Sequence, residues 1–457
     1  MRILFLHPNF PAQFRHLAHY FGKNPNNEVL YLTKNERPEW VIPGVRKVLF
    51  NPSREPRPET HHYVRPFESA ILYGQSVYRA AEQLRAEGFI PDVIYGHSGW
   101  GPTLFLKEVF PESPLICYYE WFYHARGSDA DFDPADTLTA DDLCRIRVKN
   151  ASILQDLYTC DWGVCPTQWQ KSQFPREYQS KLSVIFDGID TDYFVPNPGI
   201  PLKFSGDGYP NNVPSLDLSG VDEIVTYVAR GMETYRGFPQ FMESIVYLQE
   251  KRPNCHVVIV GADRVCYGKS LPNGKSYKEA MLEKLTLDMS RVHFTGPLPY
   301  GLYRQVIQAS SVHVYLTRPF VLSWSMMESL SAGCLILGSD TPPVREMIRE
   351  GENGLLVDFF SPKDIAKRVG EVLDHPNRMA ELRKNAREFI VENYALKNLL
   401  PKHVKIVEDI ANRQFPTSGT DGFTPQMQNY MQNGSDRGVD RTVKGKKKKK
   451  KAKGFAL

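Results

Sequence analysis

The sequence predicts two doubly wound α/β domains, and three observations carry that expectation. Short β-branched and aromatic runs alternate with longer amphipathic stretches from the first residue, as in strand-helix units of a parallel sheet. The runs fall into two series separated by a stretch rich in Pro, Gly and Asn. At 457 residues the chain is long enough for two hydrophobic cores.

In the first series, strands are expected at Arg2 to His7, Val29 to Thr33, Asp92 to His97, Leu115 to Glu120, Trp162 to Pro166 and Leu182 to Phe186. The second begins at Glu223 to Ala229 and continues through Cys255 to Gly261, Val292 to Thr295, Val312 to Leu316 and Cys334 to Leu337. Between them, Pro196 to Pro201 and Ser205 to Asn212 suit neither a helix nor a central strand. The expected organisation is therefore a first domain over 1–195, a linker or insert over 196–221, and a second domain over 222–390. A helical segment over 391–412, with Val404, Ile406 and Ile410 among its apolar positions, is expected to pack back over the domain junction. A tail over 413–457, dominated by Gln, Asn, Ser, Gly and Lys, is expected to be disordered.

Composition narrows the function classes. Hydrophobic residues make up 42% and charged residues 24%, the balance of a globular enzyme. No run of about 18 apolar residues occurs and no signal peptide is evident, so a cytoplasmic protein is expected. The seven cysteines are scattered and never spaced Cys-x-x-Cys, which favours a reducing compartment without a zinc site. The net charge of +4 includes eight lysines between Lys444 and Lys453, and without them the rest carries −4. The basicity belongs to the tail, so no specific nucleic-acid partner is expected. The run Lys446 to Lys451 reads either as a solubilising tail or as an anchor to an anionic membrane surface.

The stretch Arg318 to Cys334 reads as strand end, tight loop, short helix and new strand. Ser325 and Glu328 have the spacing of a capping box. The same helix start is also an anion site, with a carboxylate one turn in that suits ribose hydroxyls. Ala229-Arg230-Gly231-Met232-Glu233-Thr234-Tyr235-Arg236-Gly237 puts two arginines after the first strand of the second series, at the sheet end where such folds bind ligands. In the first domain the corresponding ends are Tyr95 to Gly101, with His97, and Tyr118 to His124, with Glu120. Asp129-Ala130-Asp131 is read as a solvated acidic loop, and no metal site is assigned. No Gly-x-Gly-x-x-Gly, Gly-x-Ser-x-Gly or Walker loop follows a strand in the required way, which disfavours dinucleotide enzymes, hydrolases and nucleoside triphosphatases.

Met327-Glu328-Ser329-Leu330-Ser331-Ala332-Gly333-Cys334 resembles the Leu-Glu-Ala-Met-Ala-Cys-Gly signature of glycosyltransferase family 4. Further matches stand in register over about 160–395: Phe186 to Pro196, Val257 to Gly261 followed by Phe294-Thr295-Gly296, and Glu346 with Gly351 to Val357. The resemblance implies the GT-B architecture of two Rossmann-like domains facing across a cleft. It also implies a retaining transferase that uses a nucleotide-diphosphate sugar without a cofactor or metal. It assigns Arg230 and Arg236 to the diphosphate, with Arg236 where the family carries Lys, and Glu328 to the ribose. Ser323, Trp324 and Ser325 match the loop that meets the diphosphate, Gly296 belongs to the nucleotide side, and Glu120 with His97 would contact the acceptor or the transferred sugar. The acceptor is expected to be a glycan, a lipid-linked sugar or a small molecule. One departure stands out: the family's Glu-x7-Glu pair is broken, because Phe320 occupies the first position. A non-catalytic module of the same fold, binding nucleotide or glycan, remains the alternative.

Overall fold

The computed structural model describes residues 1–209 and 213–416. The lysine run lies outside the described residues. The first sheet contains β1 (Arg2–Leu6), β2 (Glu28–Thr33), β3 (Val45–Leu49), β4 (Val93–His97), β5 (Leu115–Tyr118), β6 (Trp162–Cys165) and β7 (Leu182–Val184). A two-stranded antiparallel sheet follows, β8 (Lys203–Phe204) and β9 (Leu216–Asp217). The second large sheet contains β10 (Ile224–Gly231), β11 (His256–Ala262), β12 (Val292–Gly296), β13 (Val312–Tyr315), β14 (Ile336–Ser339) and β15 (Leu355–Val357).

Both large sheets are parallel throughout. Their orders are β3-β2-β1-β4-β5-β6-β7 and β12-β11-β10-β13-β14-β15. In each, the chain runs outward in one direction, returns to the middle and runs outward in the other. The reversal lies between β1 and β4 in the first sheet and between β10 and β13 in the second. Such a switch point leaves a crevice at the strand carboxyl ends, because the loops on either side depart to opposite faces.

The cores follow from strand periodicity. On β11, Val257 and Ile259 face one layer while Val258 and Val260 face the other. The first layer is closed by the helix Phe238–Lys251, whose Phe238, Phe241, Met242, Ile245 and Leu248 recur at three- and four-residue spacing and are all buried. Each such side chain contributes roughly 1.5–3 kcal/mol of burial. On the opposite face, Leu202, Phe204, Val213, Leu216 and Leu218 pack against Ile224, Val258 and Val260, so 196–221 carries a packed insert rather than a bare connection.

The helical segment expected over 391–412 is the helix Leu396–Ala411, preceded by the helix Pro376–Asn393. They break at Tyr394–Ala395, where Tyr394 O accepts the Ile189 amide and Ile189 O accepts the Leu396 amide. The second helix lies on the first sheet's side, against the helix Arg15–Gly22 and β4. There, burial holds His403 down at about 4, and its Nε2 is 3.0 Å from the Phe186 carbonyl oxygen.

Candidate functional site

The two switch points hold most of the residues singled out from the sequence. At the first, His97 ends β4 and Glu120 follows β5. Nε2 of His97 is 3.7 Å from Oε2 of Glu120, and Nδ1 is 2.8 Å from the Ser98 carbonyl oxygen. Glu120 Oε1 also accepts from Gln13 Nε2 at 3.2 Å. Burial by itself raises the Glu120 carboxyl, but the His97 ring, Gln13 and the Arg230 charge outweigh it and hold the group below the usual range. His7, just past β1, completes the cluster, its ring centroid 4.9 Å from that of His97. Burial and the neighbouring His97 push His7 well down, so it stays neutral. Sequence reading passed over His7; its place beside the strand reversal was the available signal.

Behind this cluster, Asp156 is buried and accepts from the hydroxyls of Ser98 at 2.6 Å and Thr103 at 2.8 Å. Burial raises its carboxyl to about 6 despite those donors. It braces the turn Ser98-Gly99-Trp100-Gly101, in which both glycines have left-handed φ, +92° and +99°. A Cβ on Gly101 would fall 2.0 Å from the Ala70 carbonyl oxygen, so only glycine fits there.

At the second switch point, Arg230 is exposed at the end of β10 and Arg236 is buried one turn later. Arg236 donates to the Thr317 hydroxyl at 2.6 Å and to the Tyr315 phenol at 3.1 Å, and its guanidinium lies 5.5 Å from the Tyr267 ring centre. Tyr267 is set by Glu233, a fully buried carboxylate that accepts the amides of Cys266, Tyr267 and Gly268 at 3.0, 2.9 and 2.6 Å. Tyr315 also accepts the Ser323 amide at 2.8 Å, tying the strand end to the following loop.

The loop and helix correct two expectations. The N-cap of the helix Trp324–Ser331 is Ser323, whose hydroxyl accepts the Ser325 amide at 3.3 Å; there is no Ser325–Glu328 capping box. Glu328 instead accepts from the phenols of Tyr300 and of Tyr303, the latter at 2.8 Å. Burial raises its carboxyl, and the two tyrosines partly counter that. The Ser323 and Ser325 amides both have partners within the protein, so the loop is less open to an anion than its sequence suggests. Trp324 is 42% exposed, and its Nε1 donates to Asp187 Oδ2 at 2.7 Å. Gly296 ends β12 at the sheet edge with φ +68°, two strands from β10.

Asp129 overturns the solvated-loop expectation. It is buried, accepts from the Tyr235 phenol at 2.7 Å, and is raised by burial. Its neighbours Asp133 and Asp136 pair with buried Arg318 at 3.3 and 2.6 Å. Glu346 adds a second link between the two sheets' loops, accepting the Gln168 and Trp169 amides at 2.9 and 2.8 Å. Phe320 sits among aromatic rings, 5.0 Å from Trp121 and 5.3 Å from both Tyr235 and Tyr267. Among the described residues no group of three His, Cys, Asp or Glu side chains is arranged to hold a metal, and no helix is long and apolar enough to cross a membrane.

Two family models divide the chain between the same two sheets: "Glycosyl transferase family 4 group" matches residues 25–194 and "Glycosyl transferases group 1" matches 210–389. The chain belongs to the family-4-like glycosyltransferases. An uncharacterized glycosyltransferase of Methanocaldococcus jannaschii is 25% identical over 247 residues, 52% of this chain and 59% of that protein. A D-inositol 3-phosphate glycosyltransferase of Corynebacterium glutamicum is 22% identical over 312 residues, 66% of this chain and 69% of the other. The match thus spans under two thirds of the archaeal relative and little more of the bacterial one. Among solved structures, Anabaena HepE in complex with UDP-glucose superposes with a TM-score of 0.63 at 14% identity, over 90% of this chain and all of that one. Sucrose-phosphate synthase from Thermosynechococcus elongatus does so with 0.64 at 16% identity, over the same shares. These likenesses show the GT-B fold, as the sequence predicts. The first-domain match extends the resemblance well upstream of residue 160, where sequence reading found few motifs.

Proposed function

We propose that the family membership expresses itself as transfer of a sugar from a nucleoside-diphosphate donor to a hydroxyl acceptor. The observation that carries this reading is the pair Arg230 and Arg236 at the second switch point, backed by the hydroxyls of Tyr315 and Thr317. A departing diphosphate accumulates negative charge, and fixed guanidinium groups stabilise it. The UDP-glucose bound in the Anabaena neighbour supports the donor class. Glu328, held between Tyr300 and Tyr303, is the candidate ribose ligand; each carboxylate oxygen takes one phenol and keeps a second lone pair for a sugar hydroxyl.

In the transfer, the acceptor oxygen forms a bond to the anomeric carbon as the bond from that carbon to the phosphate oxygen breaks. The nucleoside diphosphate leaves with the bonding electrons, and the acceptor proton passes to a phosphate oxygen. Retention of configuration follows the family resemblance. Two cations on the diphosphate support metal-independent chemistry, which predicts undiminished turnover in excess chelator. The first domain would hold the acceptor, a glycan, lipid-linked sugar or small molecule, beside His97 and Glu120.

Nucleoside-diphosphate release from UDP-, GDP- and ADP-sugars, with product anomers read by NMR, tests the reaction. Phe320, in place of a sugar-binding carboxylate, favours the second reading of a binding module; nucleotide affinity without release from any donor would establish it. The lysine run Lys446 to Lys451 supports attraction to an anionic membrane face, each lysine contributing about 1 kcal/mol near such a surface. Sedimentation with phosphatidylserine vesicles should separate the full chain from one ending at Val443, and equal pelleting would remove that partner.

A further inference from the structure

Between β5 and the helix Ala140–Val148 the first domain carries the acidic segment Ser128-Asp129-Ala130-Asp131-Phe132-Asp133-Pro134-Ala135-Asp136, which crosses to the second domain. We infer that this segment is a strap that positions the diphosphate clamp, acting through Tyr235 on the turn Thr234–Arg236. The inference rests on the transferase reading and adds Asp129 and Tyr235 as positioning residues that act through Arg236. Three contacts of different kinds make the crossing. The Phe132 ring packs against the second domain's core, 5.2 Å from Phe359 and 5.0 Å from Phe360. Asp133 and Asp136 pair with the buried Arg318 at 3.3 and 2.6 Å. Asp129, itself buried, accepts the Tyr235 phenol at 2.7 Å on one carboxylate oxygen and the Ser128 hydroxyl at 3.0 Å on the other.

Where the strap lands decides its role. Tyr235 is the middle residue of the turn whose last residue is Arg236. From within the second domain that turn is held by its backbone: Tyr235 O accepts the Arg318 amide at 3.0 Å, and Arg236 O accepts the Tyr227 phenol at 2.8 Å. The strap adds a side-chain grip from the other domain. The Tyr235 ring also stands 5.3 Å from Phe320, which stands 5.0 Å from Trp121 of the first domain, so the residue that breaks the family's Glu pair belongs to the same bridge. Because the strap's carboxylates match the Arg318 charge, Arg230 and Arg236 are the cations left for a diphosphate. A guanidinium on a fixed mount loses less motion on binding an anion than one on a mobile turn. Coupling of this kind is reciprocal, so a diphosphate on Arg236 must in turn steady the strap.

The test joins calorimetry with amide hydrogen exchange on the full chain, using UDP, GDP and ADP and their parent nucleosides as probes. In the wild type, the diphosphate that binds should slow exchange across 127–136 by about three-fold or more, and its nucleoside should not. Tyr235→Phe keeps the ring and loses the phenol. It should weaken that diphosphate about five-fold, leave the nucleoside within about two-fold, and abolish the exchange response. Asp129→Ala should match it, and the double variant should be no weaker than either single one, because both remove the same bond. Asp129→Asn still accepts from the phenol and should bind the diphosphate within about two-fold of the wild type. A strap that merely fastens the domains would lower the thermal midpoint of Tyr235→Phe and Asp129→Ala and leave affinity and exchange unmoved. That outcome overturns the inference, as does a loss shared equally by diphosphate and nucleoside. Binding of none of the three diphosphates to the wild type would remove the transferase reading and the inference together, whereas tight binding with an unresponsive strap would remove the inference alone.

Discussion

The two sheets share a topology and differ in what their strand ends carry. Between β1 and β4 stand His7, His97 and, one strand over, Glu120. Around β10 and β13 stand Arg230, Arg236 and Arg318 with the hydroxyls of Tyr315 and Thr317. In the proposed reading the second end takes the diphosphate and the first takes the acceptor. A parallel sheet supplies the crevice without dictating its chemistry, which comes from the few residues just beyond each strand. The braces differ as well: a buried carboxylate, Asp156, supports the first end, and a buried cation, Arg318, ties the second to the acidic loop of the first domain.

That contrast can be sharpened at the braces. Asp156 titrates near 6 in the folded chain, above an unfolded value near 3.8. Below both values the carboxyl is protonated in either state. As pH rises from about 4 to about 6 the unfolded chain releases the proton first, so folding stability falls by about 3 kcal/mol across that window and then levels off. Asp156→Asn removes this term. Its melting temperature, taken relative to the parent, should climb between pH 4 and pH 7, and a difference independent of pH would mean Asp156 is ionised in the fold like an exposed carboxylate.

The opposite brace should give a smaller effect. Arg318→Ala leaves Asp133 and Asp136 without their cation, and Asp136 retains solvent access, so a loss of about 2 kcal/mol is expected in chemical denaturation. An unchanged midpoint would show that the acidic loop holds to the second domain through Tyr235 and Asp129 alone. Smaller again is Glu328→Gln. The amide can still accept one tyrosine, but it loses the charge that strengthens a ribose hydrogen bond, so kcat/KM should drop about ten-fold with little change in melting temperature. Equal activity at equal stability would make Glu328 a structural partner of the two tyrosines.

All eleven strands expected from the sequence are present, because strands buried on both faces read as unbroken apolar runs. Two strands of the large sheets escaped. In β3, Val-Arg-Lys-Val-Leu, an edge position tolerates two adjacent cations, and β15 is only three residues long. Placement at strand ends made His97, Glu120, Arg230 and Arg236 legible. Their partners were not, since these are set by packing between distant segments. Asp129 reads as a solvated loop residue until Tyr235, 106 positions away, folds over it. Glu328 reads as a cap until the helix Tyr300–Gln308 brings two phenols against it. The capping pattern itself misled by two residues, because Ser323 and Ser325 are both competent caps and only the backbone path chooses between them.

The central claim is that the second switch point holds the diphosphate of the donor, and Arg230 tests it most directly because it is exposed and its removal leaves the core intact. Calorimetry should compare the preferred nucleoside diphosphate with its parent nucleoside, on the wild type and on Arg230→Ala. Losing one charge-assisted contact of about 1.5 kcal/mol should weaken the diphosphate about ten-fold and leave the nucleoside unchanged. Equal diphosphate affinity in the two proteins, or an equal loss for nucleoside and diphosphate, would contradict the assignment.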